Sequence, residues 1–325
     1  MEIIRKVYEK KLPGCQEAIT LISEPIRKTS TSNYQQKWKA FISFIGSINV
    51  PFEKVTFSTV IKFLTHLFYE KSLRPSTVAH YRSALSLPLK LHLNIDLRLP
   101  EVNQLLRAMA LQRPKSTVTA PSWKLSTVLD FLETETNLNT EIMKMRKAAF
   151  LILLATGWRI SELHACVRDE ELCRFTETSS LLIRPHPSFL AKNELRKRMS
   201  FREIKSLTTD SGTTSKLCPV TALKDYLKST DKEKAGKLFL SPTNHEKTLS
   251  IQQLSSHVKA LIRMADPENK ARVKDVRKFA ASYSFAETMI IGDLVSSLNW
   301  SSSAVFYKYY FTQTETLSRP VSLPI

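Results

Sequence analysis

Apolar residues in the first third of the chain recur every three or four positions, the spacing that lines one face of a helix. In "SNYQQKWKAFISFIGSI" the stripe is Tyr34, Trp38, Phe41, Ile42 and Ile45, with Ser30 or Ser32 placed as cap. Beyond Pro51, "TFSTVIKFLTHLFYEKSL" continues with Val60, Phe63, Leu64, Leu67 and Phe68. "RPSTVAHYRSALSLPLKLHL" opens on Pro75, with Ser76 or Thr77 as cap, and carries Arg74, His80, Arg82 and Lys90 on its wetter face. Pro100 starts a further helix, "LPEVNQLLRAMALQ".

The period is lost in "RPKSTVTAPSW", residues 113–123, where two prolines stand among Ser and Thr. This stretch reads as a linker between a helical domain at 1–112 and a second domain at 124–325. Two helices open the second domain, "KLSTVLDFLETE" and the strongly apolar "EIMKMRKAAFLILLATG". Alternation then replaces helical spacing: Leu182, Arg184, Met199, Phe201 and Glu203 predict two strands, with Lys192 and Asn193 in the turn between them. Helices return in "PVTALKDYLKST", "SIQQLSSHVKALIRMA", "VKDVRKFAASYSFAETM" and "IGDLVSSLN". The end, "TQTETLSRPVSLPI", reads as extended. The pattern is mainly α with a small sheet confined to the second domain.

Charge narrows the function. The formal net charge over 325 residues is +18. Residues 1–112 hold 16 Lys and Arg against 8 Asp and Glu, a net of +8, which leaves +10 for the remainder. Two basic domains joined by a basic linker suggest a clamp around a long polyanion, with nucleic acid the first candidate. Lys37, Lys39, Arg74, His80, Arg82, Lys115 and Arg272 are the candidate DNA contacts. Cys15, Cys166, Cys173 and Cys218 are scattered, which argues against a disulfide or zinc framework and for reduced, mostly buried thiols. With no Gly-rich phosphate loop and no carboxylate cluster for metal ions, neither cofactor nor metal is expected. The N-terminus lacks the apolar core of a signal peptide, and no run spans a bilayer, so an intracellular protein is expected.

Three segments carry candidate chemistry. In "LATGWRISELHA" an apolar helix ends at Gly157, Arg159 follows, and Glu162 lies one helical turn on. Arg159 is placed either to pair with that carboxylate or to offer a phosphate two parallel donors. In "RVKDVRKFAAS", Lys274 and Arg277 share a helix face, and the small apolar residues after them place the helix inside the domain. Fixed cations at the edge of a core are costly unless an anion meets them. "WSSSAVFYKYYF" gathers Trp300, Phe306, Tyr307, Tyr309, Tyr310 and Phe311, a group that either fills a core or supplies a reactive hydroxyl.

These segments, together with "YQQKWKAFISFI", "LRPSTVAHYRSAL", "IRPHPSFLAKNE" and "LCPVTALKDYL", resemble in order the blocks of the tyrosine recombinases, the phage-integrase-type site-specific recombinases. The version carried by DIRS-type and related eukaryotic retroelements looks nearest. The resemblance implies a helical core-binding (SAM-like) domain and an α+β catalytic domain with a small antiparallel sheet, closing as a C-shaped clamp on double-stranded DNA. It implies a homotetramer on DNA, a dimer per site, acting in the nucleus. The family's active-site set falls on Arg159, Lys192 in the strand turn, Lys274, Arg277, Trp300 and a tyrosine, with Glu162 supporting. Histidine is commoner at the position of Lys274. Counting from Trp300 as in bacterial members selects Tyr309. The retroelement pattern, phenylalanine then tyrosine four residues on, selects Phe306 and Tyr310 and is preferred.

The chemistry implied is metal-free strand cleavage through a 3′-phosphotyrosyl link that conserves the bond energy, so rejoining needs no ATP. The alternative is a catalytically inactive, host-adopted DNA-binding protein derived from such an enzyme. A type IB topoisomerase shares the chemistry without needing a specific site.

Overall fold

The computed structural model describes every residue except 1–4, 6–7, 10, 24–27, 115–120, 138, 192–199, 231–235, 289, 299, 313–319 and 325, and omits the side chains of 23 and 28–31. Lys115, Lys192 and Asn193 therefore lie outside the described residues. The chain divides into two compact units, Met1–Thr117 and Val118–Ile325.

The first unit is built from α1 (Gln16–Ser23), α2 (Lys28–Ser47), α3 (Phe57–Tyr69), α4 (Pro75–Leu93) and α5 (Pro100–Gln112). Val60, Phe63, Leu64, Leu67 and Phe68 of α3 are all buried, as their spacing predicts. Thr56 and Thr59 form a reciprocal capping box at its start. On α2 the buried stripe differs from the expected one. Phe44 turns inward to the rings of Phe63 and His66, at 5.2 and 5.1 Å, which rotates the packed face and leaves Tyr34 and Ile42 exposed. The expected caps also differ. Helix α2 begins at Lys28, so Ser30 and Ser32 lie within it. Helix α4 begins with Arg74 as N-cap and Pro75 at its first position, without a side-chain cap from Ser76 or Thr77. Proline needs no partner for a missing N–H at that place.

The second unit contains α6 (Leu125–Thr134), α7 (Glu141–Thr156), α8 (Ile160–His164), β1 (Cys173–Phe175), β2 (Leu181–Ile183), β3 (Arg202–Ile204) and α9 (Pro219–Ser229). After them come β4 (Leu240–Ser241), β5 (Asn244–Thr248), α10 (Ile251–Ala265), α11 (Lys274–Thr288), α12 (Ile291–Ser297) and α13 (Ser303–Tyr309). Helix α7 is the axis: every residue from Ala148 to Thr156 is buried, and α9, α10 and α11 pack against it. The sheet is antiparallel in the order β1-β2-β3, and β4 pairs with β5 as a separate hairpin. Alternation predicted two strands; β1 and the hairpin are additional. At two to five residues each these strands are too short for a period of two to stand out. Arg184 and Phe201 fall just outside the strands, where the Arg184 guanidinium lies 4.7 Å from the Phe201 ring centre.

The stretch expected as a linker is packed at both ends. Arg113 donates to the Phe68 carbonyl at 2.8 Å. Trp123 is 1% exposed and meets Phe279 edge-on. Val321 and Leu323 of the tail pack on the second unit's core, and Ser284 Oγ donates to the Pro324 carbonyl at 2.9 Å. Of the free thiols, Cys166 and Cys218 are buried, Cys173 is half-buried and Cys15 is exposed. Among the described residues no helix is long and apolar enough to cross a membrane.

Candidate functional site

The site begins where α7 stops. Gly157 takes the left-handed conformation, φ 60°, that ends many helices. A Cβ there would collide with the Leu298 side chain and sit 3.2 Å from Pro324 Cγ. Glycine thus allows the segment after α12 to lie directly on the end of α7. The turn releases Arg159 as N-cap of α8, and Glu162 folds back on it. The Glu162 carboxylate accepts from the Arg159 backbone N–H at 2.6 Å and from Arg159 Nη1 at 2.7 Å.

Helix α11 delivers the second cation. Arg277, whose side chain is 4% exposed, donates from Nη1 to Glu162 Oε2 at 3.3 Å and from Nη2 to the Leu298 carbonyl at 2.8 Å. One buried carboxylate therefore holds two guanidinium groups, and the trio keeps an excess positive charge. Burial lowers the pKa of Arg277 to about 10, and Arg159 pushes the same way, while Glu162 and Tyr310 oppose them.

The aromatic segment closes over this pair. Tyr310 is the C-cap of α13, and its carbonyl accepts from Ser282 Oγ on α11 at 3.1 Å. Its ring stacks on Trp300, centroids 4.7 Å apart and 28° from parallel. The Arg277 guanidinium carbon lies 5.5 Å from the Tyr310 ring centre and 5.7 Å from that of Trp300. Arg277 Nε and Trp300 Nε1 are buried donors without a hydrogen-bond partner among the described residues. Phe306 is fully buried against Trp300 and is core. Tyr309 is 43% exposed, with Lys308 Nζ 5.4 Å from its ring centre.

Arg159, Glu162, Arg277, Trp300 and Tyr310 are thus brought together from three segments. Lys274 is exposed on the first turn of α11. Arg272 is not an open surface cation: its Nε donates at 2.8 Å to Asp275, whose side chain is fully buried and needs a counter-charge. Among the other candidate DNA contacts, Lys37 donates to the Asn33 carbonyl and lies 5.7 Å from the Tyr81 ring centre. Lys39, Arg74 and His80 are exposed, and Arg82 is half-buried.

Sequence reasoning missed Arg202. It sits in β3 opposite Ile183, on the same strand face as the buried Ile204. Its Nη1 donates to Ser297 Oγ at 3.4 Å. The signal was present: an arginine in phase with a core isoleucine breaks the alternation in which polar residues face out.

No family model matches the chain, and no curated protein is similar to it in sequence. Solved structures are similar in fold. The Tn1549 transposon integrase in complex with transposon right end DNA aligns with a TM-score of 0.62 at 14% identity, over 95% of this chain and 95% of that one. The XerH site-specific recombinase bound to its difH substrate aligns at 0.56 and 15%, over 86% and 76% of the two chains. A lambda integrase dimer bound to a core site aligns at 0.55 and 16%, over 98% and 80%. With its mostly helical build, a small three-stranded antiparallel sheet and a hairpin among the described residues, the chain has the tyrosine recombinase fold.

Proposed function

We propose that the protein cleaves and rejoins double-stranded DNA through a covalent 3′-phosphotyrosyl intermediate formed on Tyr310. The observation that carries this reading is the placement of Tyr310 against Arg277, while Arg277 and Arg159 share Glu162. Attack by the phenol oxygen on phosphorus, with the phenol proton released to solvent, puts a second negative charge on the non-bridging oxygens. Fixed guanidinium groups stabilise that charge without having to reorganise, the largest contribution in most such sites. Glu162 orients both arginines and leaves donors on each for the phosphate. Trp300 Nε1 has a proton to give and none to take, so it serves as a hydrogen-bond donor to a phosphate oxygen. The departing 5′ oxygen takes its proton from Lys192, and Lys274, one helical turn before Arg277, adds a cation. Religation reverses these steps on another strand and consumes no nucleotide.

Both units are strongly basic, which supports a duplex as the polyanion each contacts. The similar integrases and recombinase solved on DNA point the same way. We place the protein in the eukaryotic retroelement branch on the Phe306–Tyr310 spacing, with the nucleus as its site of action and a tetramer on DNA as the working species.

The test is a pool of nicked duplexes of random sequence. The protein is incubated with the pool, denatured, and any DNA still attached is captured and sequenced. Attachment that depends on Tyr310 and enriches one sequence supports the reading. Salt-sensitive binding without attachment from any duplex refutes the enzyme and leaves a DNA-binding protein. On a separate supercoiled plasmid, relaxation without sequence enrichment from the pool points to a topoisomerase.

A further inference from the structure

Arg202 does something no surface strand residue needs to do. On β3, Glu203 points outward and is exposed, while Arg202 and Ile204 take the inward face. Ile204 is 4% exposed, and Ile183, directly opposite Arg202, is fully buried. An arginine turned toward a core requires partners. Its hydrogen bond is to Ser297 Oγ, at the last residue of α12. The next residue, Leu298, gives its carbonyl to Arg277, and the Trp300 backbone N–H is held by the Val295 carbonyl at 3.0 Å. The end of α12 is therefore gripped by two arginines, one from the sheet and one from α11, immediately before the indole that stacks on Tyr310.

The electrostatics agree. Burial lowers the pKa of Arg202, and Glu162 is the group that opposes this. Two guanidinium groups hydrogen-bond to Glu162, and Arg202 lies within the field of the same carboxylate without touching it. A fold seeking only stability gains little from a further half-buried cation that has no anion of its own.

We propose that Arg202 is a positioning residue for strand cleavage: through Ser297 it locks the sheet to the end of α12 and so sets Trp300 and Arg277 against Tyr310. This rests on the reading of the site as a DNA-cleaving centre, and it makes a structural claim that is measurable without any cleavage. Arg202 touches neither the phenol nor the phosphate. It acts by fixing the Ser297–Trp300 segment, and the β3 strand that carries it begins ten residues after Lys192 in the sequence.

The experiment has two arms, both on the full chain. In the first, Arg202→Met, Arg202→Lys and Ser297→Ala are labelled with ¹⁵N-tryptophan, and the four indole signals are recorded, Trp300 being assigned with Trp300→Phe. Movement of the Trp300 signal in Arg202→Met and Ser297→Ala, with restoration toward wild type in Arg202→Lys, is expected. An unmoved Trp300 signal in a folded Arg202→Met overturns the proposal whether or not the protein cuts DNA. In the second arm, single-turnover attachment is measured on the duplex enriched from the random pool. Arg202→Met is expected to slow attachment about 10- to 100-fold while duplex affinity stays within about twofold, since a displaced reacting group costs rate rather than binding. An unchanged rate overturns it. Failure of wild type to attach at all is a failure of the functional reading instead, and the indole arm still decides the structural claim.

Discussion

Arg277 and Tyr310 lie in contact: the guanidinium carbon of one is 5.5 Å from the ring centre of the other. Tyr309, one residue earlier, is on the exposed side of the same turn. Adjacent residues at the end of a helix diverge by about 100°, so a single phosphate meets one of them. Tyr310→Phe should abolish the denaturant-stable DNA adduct, and Tyr309→Phe should retain it to within a few fold, as read by gel after denaturation. Loss in Tyr309→Phe with retention in Tyr310→Phe would reverse the assignment.

Glu162 is the anchor for both arginines. Glu162→Gln removes the charge but keeps the shape, leaving two guanidinium groups without their anion. Breaking a buried ion pair from one side costs about 3–5 kcal/mol. Denaturant unfolding should show a loss near the lower end of that range, because Arg159 is partly solvated and Gln still accepts a hydrogen bond. A loss below about 1 kcal/mol would mean that the carboxylate is dispensable to the fold.

Arg277 gives a pH signature. Its pKa in the folded protein is about 10, well below the ordinary arginine value. Between these values the unfolded chain binds more protons than the folded one, so this group's contribution to stability rises with pH across that window. Below about 10 the cost of burying the charge is present in full. The unfolding free energy of wild type relative to Arg277→Met should therefore shift in favour of wild type as pH is raised from about 9 to about 11. Attachment should weaken over the same range, because the neutral guanidine no longer offsets charge on the phosphate. A stability difference flat in pH would show that Arg277 does not titrate there.

Gly157→Ala tests how closely the end of α12 must lie on α7. The added Cβ meets Leu298, and the residue must hold φ near 60°. Left-handed strain plus overpacking should cost about 2–4 kcal/mol. Leu298 also supplies the carbonyl that holds Arg277, so any folded fraction should attach to DNA more slowly. Wild-type melting and attachment would show that the segment yields freely.

Duplex binding should be strongly salt-dependent. A protein with several phosphate contacts loses about 10³-fold or more in affinity between about 50 and 200 mM salt. Fluorescence anisotropy with a labelled duplex measures this directly, and a flat profile would count against DNA as the partner of both basic units.

The hydrophobic pattern by itself determined the helices: α3 and α10 carry stripes long enough for the 3.6-residue period to show, α7 is a continuous apolar run, and burial of these residues is what makes them fold. Glycine and proline chemistry also placed the end of α7 and the starts of α4 and α5. The +18 charge pointed to a polyanion because charge survives any fold. Only the tertiary structure decided between Tyr309 and Tyr310 as the neighbour of Arg277, since that depends on how α13 ends and packs on α11. Only it turned Arg272 from a surface cation into the partner of Asp275, and brought Arg202 to the end of α12. Arg277 and Tyr310, like Arg202 and Ser297, are far apart in sequence, and for Arg272 the burial of Asp275 was what the sequence did not show; a local pattern records which face a residue takes but not what waits on the other side.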